Sequence, residues 1–180
     1  MTMNSFRLSF LCLLASWAIL SGCSTPATSK SMVVSTFSLQ KVFPYSVSVN
    51  VLGGKETGAM DKSQISNEAF MQAIADSLYK SGLFSEIIHG KNADYLLNVM
   101  IFDLTQPSFG LSFTVKMEAV WSLAHADSKK VIMRESIRSS FTATMVEAFA
   151  AVTRLRLATE GAAQENIRLG IKKLSQLNLQ

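Results

Sequence analysis

Few side chains in this sequence are of a type that does chemistry, and their spacing limits what each can do. His89 and His125 are the only histidines. Neither has a second His or a Cys at ligand spacing, so no metal centre is expected. A Ser-His-Asp hydrolase of the nucleophile-elbow kind would need a Gly-x-Ser-x-Gly turn, and none occurs. Gly53-Gly54-Lys55-Glu56-Thr57-Gly58 follows a strand pattern, as a phosphate-binding loop would. That loop needs Gly-Lys-Ser/Thr opening straight into a helix, whose dipole and N–H groups hold the anion. Here Glu56 follows the Lys, and the segment reads as a flexible turn. Asp94, Asp103, Glu118 and Glu135 lie on or beside strand patterns and read as solvated or ion-paired. No catalytic residue and no cofactor is expected, and the chain reads as a non-enzyme.

Two cysteines remain. Cys12 lies in the apolar run Leu8 to Leu20, and Arg7 is the only charge before Cys23. The run is shorter than the ~20 apolar residues of a spanning helix and suits a secretory signal. Leu20-Ser21-Gly22-Cys23 closes it with small residues ahead of the thiol. The quartet resembles the lipoprotein box of bacterial lipoproteins. That resemblance implies cleavage before Cys23, diacylglycerol on its sulfur and an acylated amine. Two or three acyl chains would anchor the chain firmly, where one gives marginal binding. Ser24 follows the Cys. The resemblance implies outer-membrane sorting, because an Asp there marks inner-membrane retention in enteric bacteria. The alternative is an ordinary secretory signal with an incidental Cys, or an uncleaved anchor.

The expected organisation is therefore residues 1–22 as signal peptide, 23–35 as lipid anchor and flexible tether, and 36–180 as a single periplasmic domain. Ser24 to Ser31 is Ser, Thr, Pro, Ala and Lys, a tether composition with nothing to bury. Losing Arg7 lowers Lys+Arg from 17 to 16 against 13 Asp+Glu, so the mature chain is only slightly basic. There is no basic block, and nucleic-acid binding is not expected. With Cys12 removed and Cys23 acylated, the domain has no free thiol.

Tyr45, Val47, Val49 and Val51 alternate with Ser46, Ser48 and Asn50, the period of a half-buried strand. Ser66 or Asn67 caps a helix to Ser81, with Gly82 as its left-handed stop. Asp94 to Leu104 is apolar on both faces and reads as central. Phe113 to Leu123 and Lys130 to Phe141 alternate again around a turn from His125. Glu147 to Gln176 is helical, with Phe149 and Val152 in its apolar stripe and Gly161 as a candidate break.

The fold class is α+β. The expectation is a two-layer sandwich, a four-stranded mainly antiparallel sheet with two helices on one face, in the order strand-helix-strand-strand-strand-helix. This architecture behind a lipidated Cys is similar to that of small outer-membrane lipoproteins, including the lipopolysaccharide-assembly and ABC-transport auxiliary types. The resemblance implies a lipid-anchored accessory protein on the periplasmic face of the outer membrane, with the membrane and envelope proteins as partners. The alternative is direct binding of a small amphipathic ligand or lipid between helices and sheet.

Two surfaces stand out. Phe109, Leu111 and Phe113 surround the Pro107–Gly110 turn and are candidates for partner or membrane contact, against tucking under the sheet. Lys116, Arg134 and Arg138 share the outer sheet face and are candidates for an anionic surface, against a solvated face paired with Glu118. Arg154 and Arg156 are expected to pair with acids such as Glu160.

Overall fold

The computed structural model describes residues 24–37, 41–59, 61–90 and 92–179. Leu20, Ser21, Gly22 and Cys23 lie outside the described residues. The elements are α1 (Ser29–Met32), β1 (Phe43–Leu52), α2 (Asn67–Ser81), β2 (Phe84–Ile87), β3 (Tyr95–Thr105), β4 (Phe113–His125), β5 (Val131–Ala143) and α3 (Ala151–Ser175).

The sheet has five strands in the order β2-β1-β3-β4-β5, which corrects the four-stranded expectation. β1 pairs parallel with both β2 and β3, while β3, β4 and β5 form an antiparallel meander. The sheet is thus mixed. The added strand arises because α2 is a crossover that returns the chain beside β1. Phe84-Ser85-Glu86-Ile87 is too short to display a period of two. β2 covers one half of β1, from Phe43↔Phe84 to Val47↔Ile87, and β3 covers the other, from Val47↔Tyr95 to Leu52↔Met100. Asp94 fixes the crossing point. Its carboxylate accepts from the Ser46 N–H at 2.8 Å and the Ser46 hydroxyl at 2.7 Å. The Ser46 amide, then the hydroxyl, holds the carboxyl below its ordinary value.

One sheet face is the core. Val47, Tyr95, Leu97, Val99, Val115, Met117, Trp121 and Leu123 are buried there against Phe70, Ile74 and Leu78 of α2 and Ile167, Ile171 and Leu174 of α3. α2 starts and stops where the sequence indicates. The Ser66 hydroxyl accepts from the Ala69 N–H, and Gly82 sits at φ 63°. α3 runs unbroken through Gly161. Both of its glycines are packing sites: a Cβ at Gly161 would stand 2.4 Å from the Phe141 ring, and one at Gly170 2.5 Å from the Trp121 ring. The Trp121 indole N–H donates to Asn166 Oδ1 at 2.9 Å, and Asn166 Nδ2 donates to the Ile137 carbonyl at 2.9 Å. The buried indole therefore has its partner.

The segment read as a tether is folded. Ala27, Met32, Val33 and Val34 are buried. The Ala27 N–H bonds the Gln64 carbonyl, the Thr28 N–H bonds Glu160, the Gln164 amide bonds the Val33 carbonyl, and the Val34 N–H bonds the Ser77 hydroxyl. These residues strap α2 to α3. Thr25, Thr28, Lys30 and Ser31 are exposed while Ala27, Met32, Val33 and Val34 are buried, so composition alone misrepresents the segment.

The other face of the sheet carries Asn50, Asn98, Glu118, Ser122, Arg134 and Arg138. β3 also exposes Met100 and Phe102 there. The register shifts between Ile101 and Asp103, so that Phe102 is the extra residue of a bulge.

Candidate interaction surface at one end of the domain

The turn between β3 and β4 separates the three apolar residues singled out there. Phe109 is 88% exposed and Leu111 76%, whereas Phe113 is buried at 5%. Phe113 opens β4 on its core-facing side, with the Arg154 guanidinium 4.9 Å from its ring centroid. Phe113 therefore leaves the candidate surface.

A second loop supplies what it loses. α3 begins at Ala151, later than its sequence pattern indicates, and residues before it form the β5–α3 turn. Phe149 is 84% exposed and Val146 94%, with Met145 and Val152 part-exposed. Phe149 and Val152 thus lie outside the apolar stripe in which they were placed. The signal available in the sequence was Met145-Val146 between Thr144 and Glu147, two apolar residues in a turn. The turn is held by Glu147, whose carboxylate accepts from the Thr144 N–H and hydroxyl and is held below its ordinary value by them, the hydroxyl first.

Arg154 joins the two loops. It is buried, and it pairs with backbone rather than with Glu160, contrary to expectation. Its Nη1 donates to the Ala148 and Phe149 carbonyls, both at 2.9 Å, and its Nη2 to the Gly110 carbonyl at 3.2 Å. One guanidinium fork thus brings the loop bearing Phe109 and Leu111 against the loop bearing Val146 and Phe149. Glu160 accepts from Thr28 instead.

The N-terminal strap lies along α3 with a clear direction. Thr28 bonds Glu160, Val33 bonds Gln164, and Lys41 bonds the carbonyl of Leu177. The chain therefore moves from the N-terminal half of α3 toward its C-terminus. Traced backwards from Thr28, it leads toward the end of the domain where the two loops lie. Gln106, at the start of the β3–β4 turn, donates its amide to the Ser63 carbonyl and the Thr159 hydroxyl, the residues preceding Gln64 and Glu160, which hold the strap.

The three cations of the open face do not act together. Arg138 pairs with Glu118 at 3.0 Å, and Glu118 also accepts from Ser136. The guanidinium, then the hydroxyl, holds the Glu118 carboxyl below its ordinary value, and the pairing raises Arg138 in return. Lys116 stands opposite Thr105 and Ser140. Arg134 is opposite Ser122, in none of the ion pairs found among the described residues. Lys116 and Arg138 line a cleft of about 600 Å³ with Asp103, Glu118, Phe141 and Leu169; Arg134 does not. The layer between helices and sheet is filled by fully buried Trp121, Tyr95, Phe70, Leu97 and Ile167.

His125 lies edge-on to Tyr95, 5.4 Å between ring centroids, and His89 is exposed. Among the described residues no group of three or more His, Cys, Asp or Glu side chains is placed to hold a metal, and no helix is long and apolar enough to cross a membrane. Gly54 of the glycine-rich turn donates its N–H to Asn67 Oδ1, so the turn is held against the start of α2.

No protein-family model and no curated protein matches this sequence. Solved structures do match. Protein XCC0632 from Xanthomonas campestris, of family DUF330, superposes with a TM-score of 0.58 at 10% identity, covering 86% of this chain and 97% of its own. The hypothetical protein CT253 from Chlamydia trachomatis gives 0.56 at 12% identity, covering 74% of this chain and 96% of its own. The PelC dodecamer from Paraburkholderia phytofirmans gives 0.49 at 14% identity, covering 79% and 96%. Identities this low show a shared fold and nothing finer, and the third match is too loose to carry more.

Proposed function

We propose that this chain is a lipid-anchored, non-catalytic accessory protein on the periplasmic face of the bacterial outer membrane. Its role would be to serve an envelope assembly or lipid-transport complex. The observation that carries this reading is Leu20-Ser21-Gly22-Cys23 immediately before a folded strap. Cys23 is four residues from Ala27, which is already bonded to the domain. A chain reaches at most about 3.5 Å per residue, so an acylated Cys23 holds the domain within roughly 14 Å of the lipid. Two or more acyl chains make that attachment lasting. The exposed groups of the described site are apolar loops, the Arg138–Glu118 pair, and the cations Lys116 and Arg134.

The test is the intact mass and N-terminal peptide of full-length protein from its native envelope. Diacylglycerol on Cys23, cleavage after Gly22, and loss of co-purified envelope proteins in Cys23→Ala are expected. An unmodified Cys23 would overturn the reading. A second reading, an amphipathic ligand, moves from the filled helix–sheet layer to the cleft where Lys116 and Arg138 adjoin Phe141 and Leu169. Native mass spectrometry that repeatedly finds the domain empty would remove it.

A further inference from the structure

The strap and the two apolar loops lie toward the same end of the domain, and together they define an orientation. We infer that the β3–β4 and β5–α3 loops form a two-part wedge that inserts into the phospholipid leaflet beside the anchor. The inference rests on the lipid-anchored reading above and goes beyond it by naming the surface that meets the bilayer.

Three observations carry it. First, the three most exposed large apolar side chains among the described residues, Val146, Phe109 and Phe149, all lie in these two loops, with Leu111, Met145 and Val152 exposed beside them. A contiguous exposed apolar patch marks a protein or membrane contact. Secondly, the patch is rigid at its base. Arg154 holds Gly110, Ala148 and Phe149 by their carbonyls, so both loops present together. It also satisfies those carbonyls within the protein, which matters where water is scarce. Thirdly, the strap runs toward this end as it approaches Cys23. The bonds Thr28–Glu160, Val33–Gln164 and Lys41–Leu177 set its direction. A lipid on Cys23 therefore brings the same end to the bilayer. The third observation selects lipid over a protein partner, because the patch faces the surface to which the chain is tied. Lys62 adds a cation at the rim, its ammonium bonding the Gln106 carbonyl and the Ser108 hydroxyl of the first loop. Anionic headgroups would complement it.

The cysteine content makes a direct test possible. Once Cys12 leaves with the signal and Cys23 is acylated, an introduced thiol is the only one in the chain. Full-length lipidated Leu111→Cys, Val146→Cys and Asp127→Cys would each carry a polarity-sensitive fluorophore. Each would be reconstituted into vesicles of phosphatidylethanolamine and phosphatidylglycerol. Leu111 and Val146 are exposed, so labelling leaves the core intact; Asp127 lies in the β4–β5 turn at the far end of those strands. A blue shift and rise in intensity at Leu111→Cys and Val146→Cys, without one at Asp127→Cys, is expected. Water-like emission at all three sites would overturn the wedge. So would a shift that arises only in native envelope vesicles and not in pure lipid, which would assign the patch to a protein. Failure of the lipidation reading is distinguishable, because Cys23 would then take up an extra equivalent of label.

Discussion

Arg154 converts two turns into one surface, and its behaviour was not legible from its neighbours in sequence. Glu160 is six residues from Arg154, outside the three- or four-residue reach of a helix face, so spacing offers it no acid. What decides the matter is the set of carbonyls left over where α3 begins and where the β3–β4 turn ends, and only the folded chain brings those together. A planar fork with several donors can serve Ala148, Phe149 and Gly110 at once while its plane covers Phe113. Arg154→Ala should lower stability by roughly 2–3 kcal/mol, the scale of lost charge-assisted hydrogen bonds. Arg154→Lys should recover only part of that, since an ammonium cannot hold the same fork. Urea unfolding of both variants measures it, and a Lys variant as stable as the wild type would show that the fork is not needed. Phe113 was misplaced for a related reason. The alternation from Phe113 places it first in the strand and the turn places it in the apolar cluster; its burial decides for the strand.

At the scale of elements, legibility followed periodicity. β1, β3, β4, β5 and α2 were readable because alternation or helical spacing continues over ten or more residues. β2 was not, since Phe84 to Ile87 is four residues long and its place beside β1 comes from the crossover. α3 was readable as a helix but not at its start, where Phe149 and Val152 continue the helical spacing on a stretch that the protein leaves exposed. The strap was the largest loss. Its polar composition signals disorder, yet Met32 is completely buried between α2 and α3. Burial there depends on a groove made by residues far along the chain. Met32→Ala should cost about 2–5 kcal/mol, as for other large-to-small core changes. A thermal or urea unfolding curve within experimental error of the wild type would mean that the strap is docked too loosely to hold Cys23 near the domain.

At the scale of the whole molecule, the proposal places two devices at the same end: an acylated Cys23 that would confine the domain, and a patch with its own affinity for lipid. Confinement raises the effective concentration of the patch at the surface, so either device alone could place it there. They separate when the attachment is lengthened. Twelve Gly and Ser residues inserted between Ser24 and Thr25 would give a flexible span of about 20 Å, enough for the domain to turn over. If the loops seat themselves, the fluorophore at Val146→Cys should keep its blue shift in pure-lipid vesicles despite the insertion. Each Phe that enters an apolar phase contributes about 1.5–3 kcal/mol, so adding Phe109→Ser and Phe149→Ser to the lengthened chain should abolish the shift. In the chain of native length the same two substitutions should only weaken it, because the anchor still holds the end close. Loss of the shift on lengthening alone would mean that the anchor imposes the contact and that the two loops contribute no lipid affinity of their own.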